Sequence, residues 1–289
     1  MSRFTISLHG GSASTNLVHY DDEPLQSGAT NEPEFHELRG FTVAGGKLYV
    51  LNATGATGSI LEFAPCSMFG TGTAWDYVTT FGNDPAQNLV HPFDLVVGWN
   101  GNVYVSNQSS KQSDASSATG NVITVYAGFT AISPGAYVET ISGDPAFTQL
   151  RGLAFDGTTL YASDTGANVV QRLQNGAPPL SAIAVNEPDH LWYDGSRYLF
   201  IGSEDDGISV YDIQKGGTPT RFLDAKKATP AIASTAGFYL TTNHVYVADR
   251  KGNAINWYPV QAGSPPTTTG KGSTILATSD NPEFIWPNP

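Results

Sequence analysis

Seven residues able to hold a polar ligand stand at corresponding points of a repeated unit: Arg39, His91, Asp94, Arg151, Asp189, His190 and Glu283. Guanidinium groups grip carboxylates or phosphates through paired N–H donors, and carboxylates accept from amines and hydroxyls. Set around one mouth, with Arg39 across from Asp189 and Arg151 across from Glu283, they would form a bipolar site for a zwitterionic or polyhydroxylated ligand. The same pairs can instead neutralise one another around a water-filled channel. His91 and His190, with His36 nearby, supply neutral imidazoles of the kind that ligate zinc. Glu204-Asp205-Asp206-Gly207 offers hard oxygen donors to calcium but lacks the alternating spacing of a calcium loop, so a solvated hairpin turn is the preferred reading. A divalent ion, zinc or calcium, is the cofactor these residues raise, without a His-Glu-x-x-His or paired-cysteine motif behind it.

Covalent catalysis has less support. There is no Gly-x-Ser-x-Gly elbow and no Gly-Lys-Ser/Thr phosphate loop, and the single cysteine, Cys66, sits between Pro65 and Ser67 without a signature. Asn52, Asn107, Asp164 and Asp249 recur at one point of the unit. A single chemical act does not need the same residue in most repeats, whereas every turn needs a side chain to bond its backbone, so these read as turn residues. Tyr49, Tyr104, Tyr161, Tyr198 and Tyr246 recur too and read as packing between sheets; Trp99, Trp192 and Trp286 are less regular and read as core packing, with lining of a pocket as the alternative.

The elements that must position these groups are strands. The 289 residues include 31 Gly and 18 Pro with only 14% charged residues, a turn-rich composition. One unit reads Leu38 to Val43, Lys47 to Asn52 and Ser59 to Phe63; it returns at His91, Leu150, Pro188 and Pro230. Ala74 to Phe81 and Ala136 to Ile141 supply fourth strands, and four antiparallel strands per repeat make a propeller blade. Pro282 to Trp286 looks like a first strand lacking its hairpin, and Phe4 to Tyr20 like a hairpin lacking its first strand. The expected fold is therefore an all-β, six-bladed β-propeller of four-stranded blades, closed by its two ends in a shared last blade. As one domain, 1–289, its blades run approximately 38–82, 91–144, 150–186, 188–226, 230–280, and 282–289 with 1–22. Residues 108–120 form a Ser-rich insert that is either a lid or a plain surface loop.

The pattern of an apolar strand, Asp-Gly, an aromatic strand, then Ser/Ala-Asp/Asn resembles the NHL-repeat propellers. Leu150-Arg151-Gly152-Leu153-Ala154-Phe155-Asp156-Gly157 through Asn168-Val169-Val170 carries it best, with Val245 to Asp249 and Val103 to Asn107 matching the second strand. The chain is also distantly similar to gluconolactonase-type and strictosidine synthase-type propellers. These resemblances imply the fold, and functions that range from lyase and hydrolase to partner binding. No gluconolactonase-like calcium set carries over residue by residue.

A net charge of -12 repels phosphate and anionic lipid, which argues against nucleic acid or membrane as partner. The expected function is recognition of a small polar ligand, glycan or protein partner at the funnel face. The alternative is a lyase or hydrolase working at the same mouth, with His91 or His190 as base or metal ligand and an arginine stabilising negative charge. The sequence as it stands reads as cytoplasmic; removal of a leader would make it secreted.

Overall fold

The computed structural model describes residues 4–9, 17–19, 37–53, 58–65, 75–82, 89–108, 121–128, 133–277 and 281–287. The chain is all-β, with four-stranded antiparallel sheets in a propeller arrangement. It divides into two compact units, 1–147 with 287–289, and 148–286. His36, Cys66 and residues 109–120 lie outside the described residues, as does the side chain of Trp286.

The first unit contains β1 (Phe4–His9) and β2 (Leu17–His19), an antiparallel hairpin. Blade one follows as β3 (Glu37–Ala44), β4 (Lys47–Ala53), β5 (Ser59–Pro65) and β6 (Trp75–Phe81). Blade two is β7 (Pro92–Val97), β8 (Val103–Asn107), β9 (Val122–Tyr126) and β10 (Tyr137–Ile141). Second strands are buried at nearly every position, as expected of strands covered on both faces. The core between these two blades is Tyr49, Leu51, Ile60, Leu95, Val103, Val105 and Tyr126.

In the second unit, blade three is β11 (Leu150–Phe155), β12 (Thr159–Asp164), β13 (Val169–Gln174) and β14 (Ala177–Ala184). Blade four is β15 (Pro188–Tyr193), β16 (Tyr198–Ser203), β17 (Gly207–Asp212) and β18 (Thr220–Asp224). Blade five has β19 (Thr235–Leu240), β20 (His244–Asp249) and β21 (Ala254–Gln261), with β22 (Thr267–Thr268) and β23 (Ser273–Ala277) both pairing β21. The last strand is β24 (Asn281–Pro287). Blade five corrects the sequence expectation. Its first strand starts at Thr235 rather than near Pro230, because the Asp249 carboxylate holds the Ala233 and Ser234 N–H groups at 3.0 and 2.9 Å and fixes the strand's origin there.

The recurring tyrosines are buried between sheets, as their repetition predicts. Trp99 lies edge-on to Tyr104 at 5.6 Å, and Trp192 packs on Phe200 and Tyr239 at 5.7 and 5.5 Å, so both are packing residues. The Asp-Gly turns close through the aspartate. Asp156 accepts the N–H groups of Thr158 and Thr159 and the Tyr161 hydroxyl, all within 2.8 Å, and despite its burial these bonds hold its carboxyl below the usual range. Among the described residues, no helix is long and apolar enough to cross a membrane.

Candidate functional site

Each blade's first strand begins with the same irregularity. The register shifts once between Leu38 and Phe41, Pro92 and Asp94, Leu150 and Leu153, Pro188 and Leu191, and Thr235 and Gly237. The residues within these shifts include Arg39, Phe93, Arg151, Asp189 and Ala236, each directly after the paired residue that opens the shift. A bulge leaves one residue outside the alternation of the ladder and re-aims its side chain, which is why such irregularities gather beside functional sites. The repeat thus supplies one re-aimed position per blade, and the sequence varies its chemistry.

At this same end of the blade the hairpin is held by the repeated acid or amide that closes the second strand. Asn107 accepts from the Val90 and His91 N–H groups at 2.8 and 3.1 Å. Asp164 accepts from the N–H groups of Thr148 and Gln149 and from the Thr148 hydroxyl, at 2.6 to 2.9 Å. These clamps tie the loop before each first strand to the turn after the second, so the repeated residues are structural, as read. In blade four Ser203 takes the place and the bond reverses, its hydroxyl donating to the Asn186 carbonyl at 2.8 Å. One residue past the clamp stand Ala53, Gln108, Thr165, Glu204 and Arg250, again different in every blade.

In the second unit these two variable positions converge. The Arg151 guanidinium reaches Asp189 at 3.5 Å, from the bulge of blade three to that of blade four. Arg250, at the tip of the β20–β21 turn, donates to Glu204 at 2.7 Å and Glu283 at 3.2 Å. Lys251 extends the chain to Glu204 at 3.1 Å and Asp205 at 3.5 Å. The Glu204-Asp205-Asp206-Gly207 turn is therefore an ion-paired wall of this cluster. Burial is graded: the side chains of Asp189 and Glu283 are 3% and 2% exposed, Arg250 and Glu204 22% and 27%, and Lys251 54%. The cluster runs from the interior of the unit to its surface.

Electrostatics follow this gradient. Burial pushes the Asp189 carboxyl up to about 6, against the opposing pull of Arg151 and Arg250. Glu204 is held below its usual range despite partial burial, because Lys251 and Arg250 donate to it. Arg250 is raised despite burial by Glu283, Glu204 and Asp189. The Asp189 Oδ1 atom is buried without a hydrogen-bond partner among the described residues.

His190 stands one residue past the Asp189 bulge but contributes differently. It lies edge-on to Phe238 at 5.0 Å and Phe284 at 5.3 Å, and burial drives its imidazole down to about 4 despite a hydrogen bond with the Phe238 backbone. It is a neutral packing residue of the blade interface. Among the described residues, no group of three His, Cys, Asp or Glu is arranged to hold a metal.

Backbones must come close for this arrangement to form. A Cβ on Gly152 would run into the Asp189 carbonyl oxygen and lie 2.9 Å from the His190 Cα. A Cβ on Gly237 would likewise run into the Glu283 carbonyl oxygen. Ser163 completes the contact: its hydroxyl accepts the Gly152 N–H at 2.7 Å and donates to the Asp189 carbonyl at 2.5 Å. A glycine in one first strand thus places the acid of the next.

The predicted residues of the first unit form their own constellation. Arg39 is buried with its guanidinium 5.5 Å from the Phe93 ring centroid. Asp94, one residue past its bulge, turns back so that Oδ1 accepts the Leu95 N–H at 2.8 Å, and its backbone lies against Gly40. His91 is half-buried and held through its backbone by Asn107.

The structure therefore brings together Arg151, Asp189 and Glu283 of the predicted set, with Arg151 paired to Asp189 of the next blade and Glu283 paired to Arg250. Arg250 and Lys251 are not singled out by the sequence reading, and Glu204 and Asp205 enter it only as calcium donors or a hairpin turn. Their signal was present: a residue that changes in every repeat beside one that hardly changes. Two surface grooves of the second unit, about 390 and 230 Å³, share no residue with the cluster. The larger is bordered by Arg172, which is engaged by the Ser181 carbonyl at 3.2 Å and the Tyr211 ring.

No family model matches the sequence, and no curated protein matches it. Solved structures do match in fold. The periplasmic gluconolactonase of Pseudomonas aeruginosa superposes with a TM-score of 0.66 at 13% identity, covering 100% of this chain and 99% of that one. A proposed 6-phosphogluconolactonase from Bacteroides uniformis gives 0.60 at 17% identity, over 95% of this chain and 82% of that one. Virginiamycin B lyase from Staphylococcus aureus gives 0.52 at 14% identity, over 87% and 77%. At these identities the likeness is one of fold, shared with gluconolactonase-like and virginiamycin B lyase-like propellers.

Proposed function

We propose that the protein is a single-domain, six-bladed propeller of NHL type that recognises a small polar ligand through the charged cluster of its second unit. The observation that carries this reading is the coincidence of the cluster with the bulges and turn tips. Arg151 and Asp189 occupy the re-aimed bulge positions, and Glu204 and Arg250 the residue past each clamp. Those are the positions where the repeat varies while its scaffold does not. The graded burial gives a ligand a wet rim and a dry floor, which suits selective hydrogen bonding. A thermal-shift screen of sugars, amino acids and small organic acids tests it. Arg151→Ala and Arg250→Ala should each weaken the best ligand at least about tenfold, the loss expected for a charged hydrogen bond of about 1.4 kcal/mol or more. Unchanged affinity in both variants sinks the site.

A hydrolase or lyase using the same cluster is the second reading. The gluconolactonase and lyase names of the structural neighbours favour it, as does Asp189, an acid whose pKa of about 6 suits proton transfer near neutrality. Arg151 would then stabilise developing negative charge. The expected outcome is lactone opening that rises with pH through about 6 and is lost in Asp189→Asn; a flat profile with gluconolactone at wild-type levels in that variant rejects it.

A further inference from the structure

The second unit carries five arginines, and four of them reach a carboxylate: Arg151, Arg197, Arg221 and Arg250. Arg172, on β13, is the exception, with no acid at ion-pair distance among the described residues. Its contacts are a dipole and a ring. Nη1 donates to the Ser181 carbonyl at 3.2 Å, and the guanidinium carbon lies 6.0 Å from the Tyr211 ring centroid. Neither partner carries a net charge, so both leave the guanidinium charge uncompensated, in a chain whose net charge is -12. Its Nε is buried without a hydrogen-bond partner among the described residues. Arg172 therefore has an unmatched charge and an unmatched donor.

This side chain borders the larger surface groove, about 390 Å³, between β14 of blade three and the β17–β18 connection of blade four. Its volume lies at the small end of the roughly 300–1,000 Å³ usual for ligand sites. No carboxylate lines it, and Ala182, Ile183 and Pro219 make part of its wall apolar. A second polar group stands at the glycine side. The Tyr211 hydroxyl makes no hydrogen bond among the described residues and lies 3.8 Å from where a Cβ on Gly216 would sit. A Cβ on Gly217 would meet nothing within 4 Å, so bare backbone faces open space there.

We propose that this groove is a second binding site, separate from the charged cluster, and that it takes a monocarboxylate with an apolar body. The carboxylate sits on Arg172 and the Tyr211 hydroxyl, and the body runs along Ala182, Ile183 and Pro219. A guanidinium matches a carboxylate in both charge and planar geometry, and one uncompensated cation balances one negative charge. A phosphate dianion would leave a charge over in an already acidic chain, and an amine would be repelled. A neutral amide meets the donors but leaves the guanidinium charge unmatched.

The test compares probes of one shape and different charge. Hexanoate and benzoate are titrated into the full chain beside hexanamide, benzamide and inorganic phosphate. Calorimetry reads affinity, and NMR reads location through the Gly216 and Gly217 amides and the Arg172 Nε–H. Each carboxylate is expected to bind at least about tenfold tighter than its amide, the size of a charged hydrogen bond, and to shift those signals. Arg172→Gln keeps a donor without the charge and should bring the carboxylates level with the amides. Tyr211→Phe keeps the ring and should weaken the carboxylates about three- to tenfold. Ala182→Phe, at an exposed position of β14, fills the groove and should abolish binding while stability stays as in the wild type. Arg151→Ala breaks the cluster and should leave carboxylate binding here unchanged, so a failure of this site and a failure of the cluster are told apart. Binding that survives Arg172→Gln, or that is lost in Arg151→Ala, overturns the proposal. So do amides that bind as tightly as the acids, phosphate that binds more tightly than either, or probes that leave the groove signals unmoved.

Discussion

Asp94 and Asp189 both stand at the start of a first strand and both are buried, yet they are set differently. Asp94 lies one residue past its bulge, in register with the ladder, and its carboxylate is engaged by the Leu95 N–H at 2.8 Å. Asp189 occupies the bulge itself, where no ladder neighbour is in reach, and pairs instead with Arg151 of the preceding blade. The companion residues follow the same rule. In blades one and two the bulge positions carry Arg39 and Phe93, which stack as cation on ring; in blades three and four they carry Arg151 and Asp189, which attract as ions. One position of the repeat thus carries different chemistry in the two pairs of blades.

The largest break in that comparison comes from the backbone contact that sets it. Gly152→Ala forces a methyl group against the Asp189 carbonyl and the His190 Cα, both backbone, and neither can yield without moving β15. Overpacking and loss of the Ser163 bridge together should cost about 3–5 kcal/mol or prevent folding. Chemical denaturation checks this; a loss under 1 kcal/mol would mean the blades are not held by close strand approach. Next in size is Asp164→Ala, which leaves the Thr148 and Gln149 N–H groups and the Thr148 hydroxyl without their acceptor. Hydrogen bonds to a charged acceptor support a loss of about 2–4 kcal/mol, while ligand affinity in whatever folds should stay as in the wild type.

Much of the fold was legible because the repeat restates itself. Val103-Tyr104-Val105-Ser106-Asn107 and Thr159-Leu160-Tyr161-Ala162-Ser163-Asp164 each pair apolar strand residues with a clamp, and β8 and β12 fall on those residues. Blade five was misplaced at its start because Pro230 mimics the prolines that open other strands, while the true origin depends on the Asp249 clamp, a contact made 15 residues away along the chain. The site was half legible. Arg151, Asp189 and Glu283 could be found from their place at strand starts; Arg250 and Glu204 are marked as a pair only by comparing repeats, because nothing within a single repeat marks a turn tip as facing its neighbour. His190 misled for a related reason. It shares the irregular start of β15 with Asp189, yet its ring packs on Phe238 and Phe284.

The finest test contrasts the two aspartates by titrating stability. A carboxyl whose pKa rises on folding contributes stability that is complete below its unfolded value near 4 and is lost as pH rises through its folded value. For Asp189, with a folded value of about 6, the loss develops between about pH 4 and pH 6 and amounts to about 3 kcal/mol at most. Asp189→Asn removes the ionisable group, so its stability relative to the wild type should grow across that window by about 1–3 kcal/mol, after which the two curves run parallel. Asp94→Asn keeps an oxygen that accepts the Leu95 N–H and serves as the buried comparison. Denaturant titrations at pH 4, 5, 6 and 7.5 measure both differences against the wild type, so acids such as Glu204 that titrate in every variant cancel. An Asp189→Asn difference that does not grow with pH would mean that folding does not raise the Asp189 carboxyl.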